Sequence, residues 1–310
     1  MITLDKVKMV ATLDCLLSFD PGKFSVTKEG GITKTLKFKM TDPYTLSVEI
    51  NYIAKELVVE FTGKILGKDY PQLISRDTIK SCFARLNEVG ICRVDAAKMM
   101  NAEVVKCDVT KDVSIEDIPA LTRYIKGALR NYEAFSCTKF RNGNLVVEKS
   151  VSTQKRKRRI TIYDKQHEMN LQGERPFVSS NGLEGKYDGV CRFELNLTSK
   201  KQIREALCLT GTTLTEVLES NKNPIQDFLC DVLADDQGGK SITSWKDLEK
   251  FAVLALCNYD IAKVEAMARR YKNSRSTSIP NMMKRYREIL AGLPVEGVTW
   301  TKEKLLSCIN

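Results

Sequence analysis

The chain has 310 residues and a mass of 35.0 kDa, enough for one large domain or two of ordinary size. Its 43% hydrophobic and 28% charged content is that of a globular protein, and a formal charge of +10 with a pI of about 9.0 favours polyanionic partners, nucleic acid before an acidic membrane surface. Nothing resembles a signal peptide or reaches the roughly 18 apolar residues of a membrane span, so no membrane partner is expected.

Residues 1–65 read as β structure. TKTLKFKM (33–40) and TLSVEINYI (45–53) alternate apolar and polar residues around a turn at Asp42-Pro43, and Leu57–Phe61 is a third such run. Glu60 lies between Val59 and Phe61 and so points to the opposite face, where a solvent-facing glutamate is the plain alternative to a functional one. Ser75 to Val89 spaces Ile79, Cys82, Phe83, Leu86 and Val89 as a helix, with Ser75 as N-cap and Gly90 as stop. A short helix or turn follows at 95–101. Val104 to Lys111 is the next strand; Val105, Cys107 and Val109 share one face, and Lys106, Asp108 and Thr110 the other. Aspartate is a poor strand former, so Asp108 calls for a partner or a task, a surface position being the alternative. Ser114 to Arg130 reads as a helix with acidic residues at its start and basic ones near its end.

Strands at 135–140 and 145–151 flank Arg141-Asn-Gly-Asn144, a hairpin signal. Five consecutive cations, Lys155, Arg156, Lys157, Arg158 and Arg159, lead into a short strand Ile160–Tyr163. Asp164, Lys165 and the single histidine, His167, come next. A glycine-containing loop precedes the strand Val190–Leu197, in which Arg192, Glu194 and Asn196 share a face. From Lys200 onward the apolar spacing is helical, with Pro224 and Pro280 in first-turn positions. The expected fold class is α+β, with a β-rich domain over 1–205 and a helical C-terminal domain over 206–310.

Ten cysteines include no CxxC pair and read as reduced core residues of an intracellular protein. One histidine excludes two-histidine metal sites and leaves the tyrosine recombinases short of the histidines they need. A metal site must then be built from carboxylates, which suit Mg²⁺ or Mn²⁺. Glu60, Asp108 and Glu194 each sit mid-strand between apolar neighbours, so they leave the core face together if their strands share a sheet. Tyr163 lies on a fourth strand, facing away from Ile162, a placement that suits an active-site face and equally solvent. A divalent ion polarises a phosphodiester, and a phenol of reference pKa about 10 attacks it only with such a field or nearby cations. Lys165 offers one such charge. The 155–159 run either steers DNA or keeps a loop in water.

The order VKCDVTKD, helix, RRITIYDKQHEM, then CRFELNLTSKKQIRE resembles the rolling-circle replication initiators of filamentous phages, the gene II/X family, and related plasmid initiators. LVVEFTGKILG is similar to the strand and Lys/Gly segment preceding these. The resemblance covers roughly residues 45–210, and Tyr-x-Lys followed by Arg-Phe-Glu is its most specific part. It implies an antiparallel sheet related to the HUH endonucleases and nicking of one DNA strand through a 5′-phosphotyrosine. It also implies a 3′-OH primer, later rejoining, a divalent ion, and a host helicase and polymerase as partners in the bacterial cytoplasm. Carried over, Tyr163 is the nucleophile, Glu194, Asp108 and Glu60 are metal ligands, and Lys165 contacts phosphate or balances charge. The His-hydrophobic-His motif of the HUH class is missing. The stretches 260–272 and 280–290 read either as a helix-turn-helix-like origin reader or as two basic amphipathic helices on a core. A relaxase and a non-enzymatic DNA-binding protein are the alternative readings.

Overall fold

The computed structural model describes residues 2–29, 32–129, 135–140, 143–149, 158–233, 244–271, 278–291 and 300–310. In chain order its elements are β1 (Leu4–Thr12), β2 (Leu16–Phe19), β3 (Ser25–Glu29), β4 (Ile32–Met40), β5 (Leu46–Asn51), β6 (Glu56–Thr62), a kinked 3-10 segment (Gly63–Gln72), α1 (Ile79–Glu88), β7 (Cys92–Val94), α2 (Ala96–Met99), β8 (Glu103–Ser114) and α3 (Ile118–Gly127). They continue with β9 (Phe135–Lys139), β10 (Leu145–Lys149), β11 (Arg159–Asp164), α4 (Lys165–Met169), α5 (Arg175–Asn181), β12 (Val190–Leu197), α6 (Lys200–Leu207), α7 (Leu214–Glu219), α8 (Pro224–Val232), α9 (Trp245–Leu256), α10 (Ile261–Tyr271), α11 (Ile279–Ala291) and α12 (Lys302–Ile309). The molecule is α+β. Ten strands form one sheet in the order β3-β4-β5-β6-β1-β8-β12-β11-β10-β9, and the paired registers within it are antiparallel. No described helix is long and apolar enough to cross a membrane.

The chain divides into two compact units, one of Met1–Glu116 with Ser136–Asp227, the other of Asp117–Phe135 with Phe228–Asn310. In the first, the period-2 pattern sorts the sheet into an apolar and a polar face. Val7 lies opposite Phe61 and Cys107, Met9 opposite Val59, and Ile162 opposite Phe193, and all of these are buried. Phe83 of α1 meets Phe61 edge-to-face at 6.2 Å. The same registers place Lys8 beside Glu60, Asn196 beside Asp108, Thr161 beside Glu194 and Tyr163 beside Arg192 on the other side.

Three departures from strict alternation shape that polar side. β1 pairs Leu4 with Val109 and then Lys6 with Asp108, so Asp5 is an extra residue, a β-bulge that re-aims its side chain. The 63–72 segment kinks at Gly67, whose φ of 61° and ψ of −122° are open to glycine alone. Where sequence implied a loop between Tyr163 and Val190, α4 and α5 form, α5 with Pro176 in its first turn and Gly182 in the left-handed conformation at its end. These pieces lay an apolar cap over part of the polar face, made of Tyr70, Leu73, Met169, Phe177, Val178, Leu183 and Tyr187.

Helix starts follow their capping chemistry. Helix α3 begins at Ile118 rather than Ser114, because β8 runs on to Ser114 and the Asp117 carboxylate accepts from the Ala120 N–H. Thr213 and Glu216 form a reciprocal capping box on α7. In the second unit, Leu254, Cys257, Ile261, Val264, Met283 and Ile289 of α9, α10 and α11 share a core. Asp247, 4% exposed, takes two hydrogen bonds from Arg285 at 2.8 and 2.6 Å. The hairpin tip 141–142 and the segment 272–277 lie outside the described residues.

Candidate active site

Strand β11 delivers Tyr163, and β12, its neighbour, delivers Arg192 and Glu194 two residues apart on the same face. The Tyr163 hydroxyl donates to Glu194 Oε1 at 2.6 Å. Tyr163 is only 6% exposed, and burial followed by the Glu194 charge pushes its phenol well above 10. Burial and the neighbouring Asp5 carboxylate push Glu194 from 4.5 up to about 7. The phenol therefore keeps its proton at neutral pH, with Glu194 Oε1 placed to accept it.

Beside it stands a closed polar network around the second tyrosine. Arg192, wholly buried, donates to Asp112 at 2.6 and 2.7 Å, to Asp5 at 2.9 Å and to the Tyr70 hydroxyl at 2.7 Å. Tyr70 in turn donates to Asp5 at 2.7 Å. Lys165, 1% exposed, donates to Tyr70 at 2.9 Å and to Glu168 at 2.5 Å, and lies over the rings of Tyr70, Tyr163 and Tyr187. Two fully desolvated cations are thus matched by Asp5, Asp112 and Glu168. Burial, then the Arg192 charge, lowers the Lys165 pKa. Arg192 and Lys165 both lower Asp5 against the burial that raises it. Among the described residues, the buried Tyr187 hydroxyl has no hydrogen-bond partner.

The three expected metal carboxylates all face the polar side but have separate partners. Glu194 holds Tyr163, Asp108 accepts from Asn196, and Glu60 is gripped by Lys6 at 2.6 Å and Lys8 at 3.7 Å. Among the described residues no three His, Cys, Asp or Glu side chains are grouped as the donors of one ion. Burial raises the pKa of Asp108, and Asp5 is a neighbouring charge that adds to this for Asp108 and Glu194 alike.

Of the basic run, Lys155, Arg156 and Lys157 lie outside the described residues; Arg158 pairs with Glu205 at 2.8 Å and Arg159 with Glu148 at 4.0 Å. His167 is exposed, its backbone N–H capping α4 through Asp164. Sequence reasoning missed Asp5, Tyr70, Asp112 and Glu168. Asp5 was hidden by the bulge and Tyr70 by the fold-back of 63–72, whereas Arg192 was visible as the face-mate of Glu194. Comparison with protein-family models, curated proteins and solved structures gave no match.

Proposed function

We propose that this chain nicks and rejoins DNA with Tyr163 as nucleophile, as a rolling-circle replication initiator on an HUH-like α+β domain followed by a helical C-terminal domain. The observation that carries the reading is the 2.6 Å hydrogen bond from Tyr163 to Glu194 next to the buried cations Arg192 and Lys165. Because burial and Glu194 hold the phenol above its ordinary range, it does not stand as phenolate. It attacks as its proton leaves for Glu194 Oε1. The Tyr163 oxygen bonds to phosphorus as the bond from phosphorus to the 3′ oxygen breaks. Glu194 passes the proton to that departing oxygen, leaving a 3′-OH and a 5′-phosphotyrosine, and the reverse sequence rejoins the strand.

Arg192 and Lys165 hold the field against which charge develops on the phosphate oxygens, and their carboxylate and Tyr70 partners keep them from moving. Mg²⁺ or Mn²⁺ at Asp108 would supply Lewis acidity to the scissile phosphate, Glu194 serving as the base rather than as a ligand. The remaining cations, Arg158 and Arg159 with Lys155, Arg156 and Lys157, serve strand binding. Partners in this reading are origin DNA and a host helicase and polymerase, in the cytoplasm of a bacterial cell. A mobile-element relaxase uses the same chemistry. The near-complete burial of Tyr163 favours one other reading, a DNA-binding protein without catalysis.

The test is incubation of supercoiled origin DNA with the protein and Mn²⁺, followed by denaturing electrophoresis. A covalent protein–DNA species is expected from wild type and not from Tyr163→Phe. No species from wild type, or an equal amount from the variant, removes the nicking reading.

A further inference from the structure

A concave surface lies on the first unit, lined by none of the side chains given chemical roles above. It is an open groove of about 480 Å³ between the 63–72 segment, α1, α5 and the turn carrying Tyr44. Tyr44 is half-buried along it, and Ile65 and Val89 add apolar lining. Lys68 and Arg85 are exposed cations on its rim. Arg85 reaches Glu88 at 3.2 Å, an exposed i,i+3 pair of little strength, and is close enough to Tyr44 to pull against the burial that raises its phenol. Ser180 and Asn181 also line it, their Oγ and Nδ2 donating to the Phe177 carbonyl, and Gly67, at positive φ, lets Asn181 approach, since a Cβ there would sit 2.8 Å from its Oδ1. One aromatic face and two cations around an apolar floor are the parts that hold a nucleotide: a base on the ring and a phosphate on the cations.

We propose that this groove is a subsite for one nucleotide of a single DNA strand, outside the position of bond cleavage. The assignment to the strand being nicked rests on the reading above; the nucleotide chemistry does not. Two elements that wall the groove also build the cap of the site, for the 63–72 segment carries Gly67 and Lys68 on one side and Tyr70 on the other, and α5 carries Asn181 and Phe177, whose ring meets Tyr70 at 5.7 Å. A strand seated here therefore lies on the same two pieces of backbone that hold Tyr70 against Arg192 and Lys165.

The test is binding of a fluorescent 20-nucleotide oligothymidine to the full chain by anisotropy at several salt concentrations, with adduct formation on origin DNA measured in parallel. Tyr44→Leu, which keeps apolar bulk, is expected to weaken binding about tenfold through lost stacking. Arg85→Gln is expected to lower the slope of log affinity against log salt by about 0.7, the share of one phosphate contact on a single strand. Lys222→Gln, in an exposed loop outside the groove, serves as control. Adduct formation with unchanged oligothymidine affinity in both groove variants overturns the subsite and leaves the nicking reading intact. Loss of affinity in both variants, with no adduct from wild type, supports the groove and overturns the nicking reading. Thymidine monophosphate binding as tightly as the oligonucleotide assigns the groove to a free nucleotide and overturns the strand assignment.

Discussion

Glu194 is the residue on which the chemistry turns, because it is buried beside Asp5 and bonded to the phenol it must deprotonate. With its pKa at about 7, the base-competent carboxylate grows in as pH rises through neutrality, and the nicking rate on origin DNA is expected to climb over that interval. Glu194→Gln should lose the climb together with most of the rate; a variant that keeps the wild-type pH profile removes Glu194 from the role. The same shift has a stability consequence of defined sign. A carboxyl whose folded pKa is raised contributes stability in full below its unfolded value, here 4.5, and loses it as pH rises through about 7. Wild type should therefore lose unfolding free energy from pH 4.5 to 7 relative to Glu194→Gln, as measured by urea denaturation at each pH. Arg192→Leu should cost about 3–5 kcal/mol, because it leaves the Asp5 and Asp112 carboxylates facing each other without their cation. A loss under about 1 kcal/mol in the same assay would show that water replaces the guanidinium.

At the scale of elements, the site is built where regular structure gives way. The bulge at Asp5 and the kink at Gly67 bring two side chains onto the β11–β12 pair that straight elements would leave elsewhere. Gly67→Ala is expected to destabilise by about 1–3 kcal/mol, from a backbone conformation closed to alanine and a clash with Asn181. Urea denaturation of the single variant and of Gly67→Ala/Asn181→Ala separates the two causes, since only the clash is relieved in the double variant; no loss in the single variant contradicts the kink as drawn. These irregularities also mark the limit of what sequence reveals. In β8 a register shift puts Val104 rather than the expected Val105 on the core side. Alternation in β5, β6, β11 and β12 was legible, and with it the shared face of Arg192, Glu194 and Asn196. The bulge was not, because one extra residue leaves no period to read. Helix α5 was obscured by the glycines flanking it, and the burial of Lys165, read as a phosphate-contacting or charge-balancing group, was not visible because it rests on Tyr70, a residue distant in sequence.

Across the whole molecule, a ten-stranded antiparallel sheet gives one continuous polar face running from Glu60 to Tyr163. The order of its strands brings β1, from the start of the chain, between β6 and β8, so Asp5 meets Arg192 across 187 positions of sequence. No local pattern announces such a pairing, which explains why Arg192 was legible and its partner Asp5 was not. The expected common site for Glu60, Asp108 and Glu194 was an inference from shared facing; the structure shows that shared facing still leaves each with its own neighbour. Removal of divalent ions with EDTA is expected to abolish nicking while leaving oligothymidine binding in place, since strand binding depends on lysine, arginine and aromatic contacts; nicking that persists in EDTA excludes the ion from the reaction.

The most direct measurement is the location of the covalent bond. Protein trapped on origin DNA in Mn²⁺ is digested with nuclease and trypsin, and the nucleotide-bearing peptide is sequenced by mass spectrometry. The nucleotide is predicted on Tyr163, in the peptide Ile160–Lys165. A nucleotide on any other tyrosine, or on none, contradicts Tyr163 as the nucleophile.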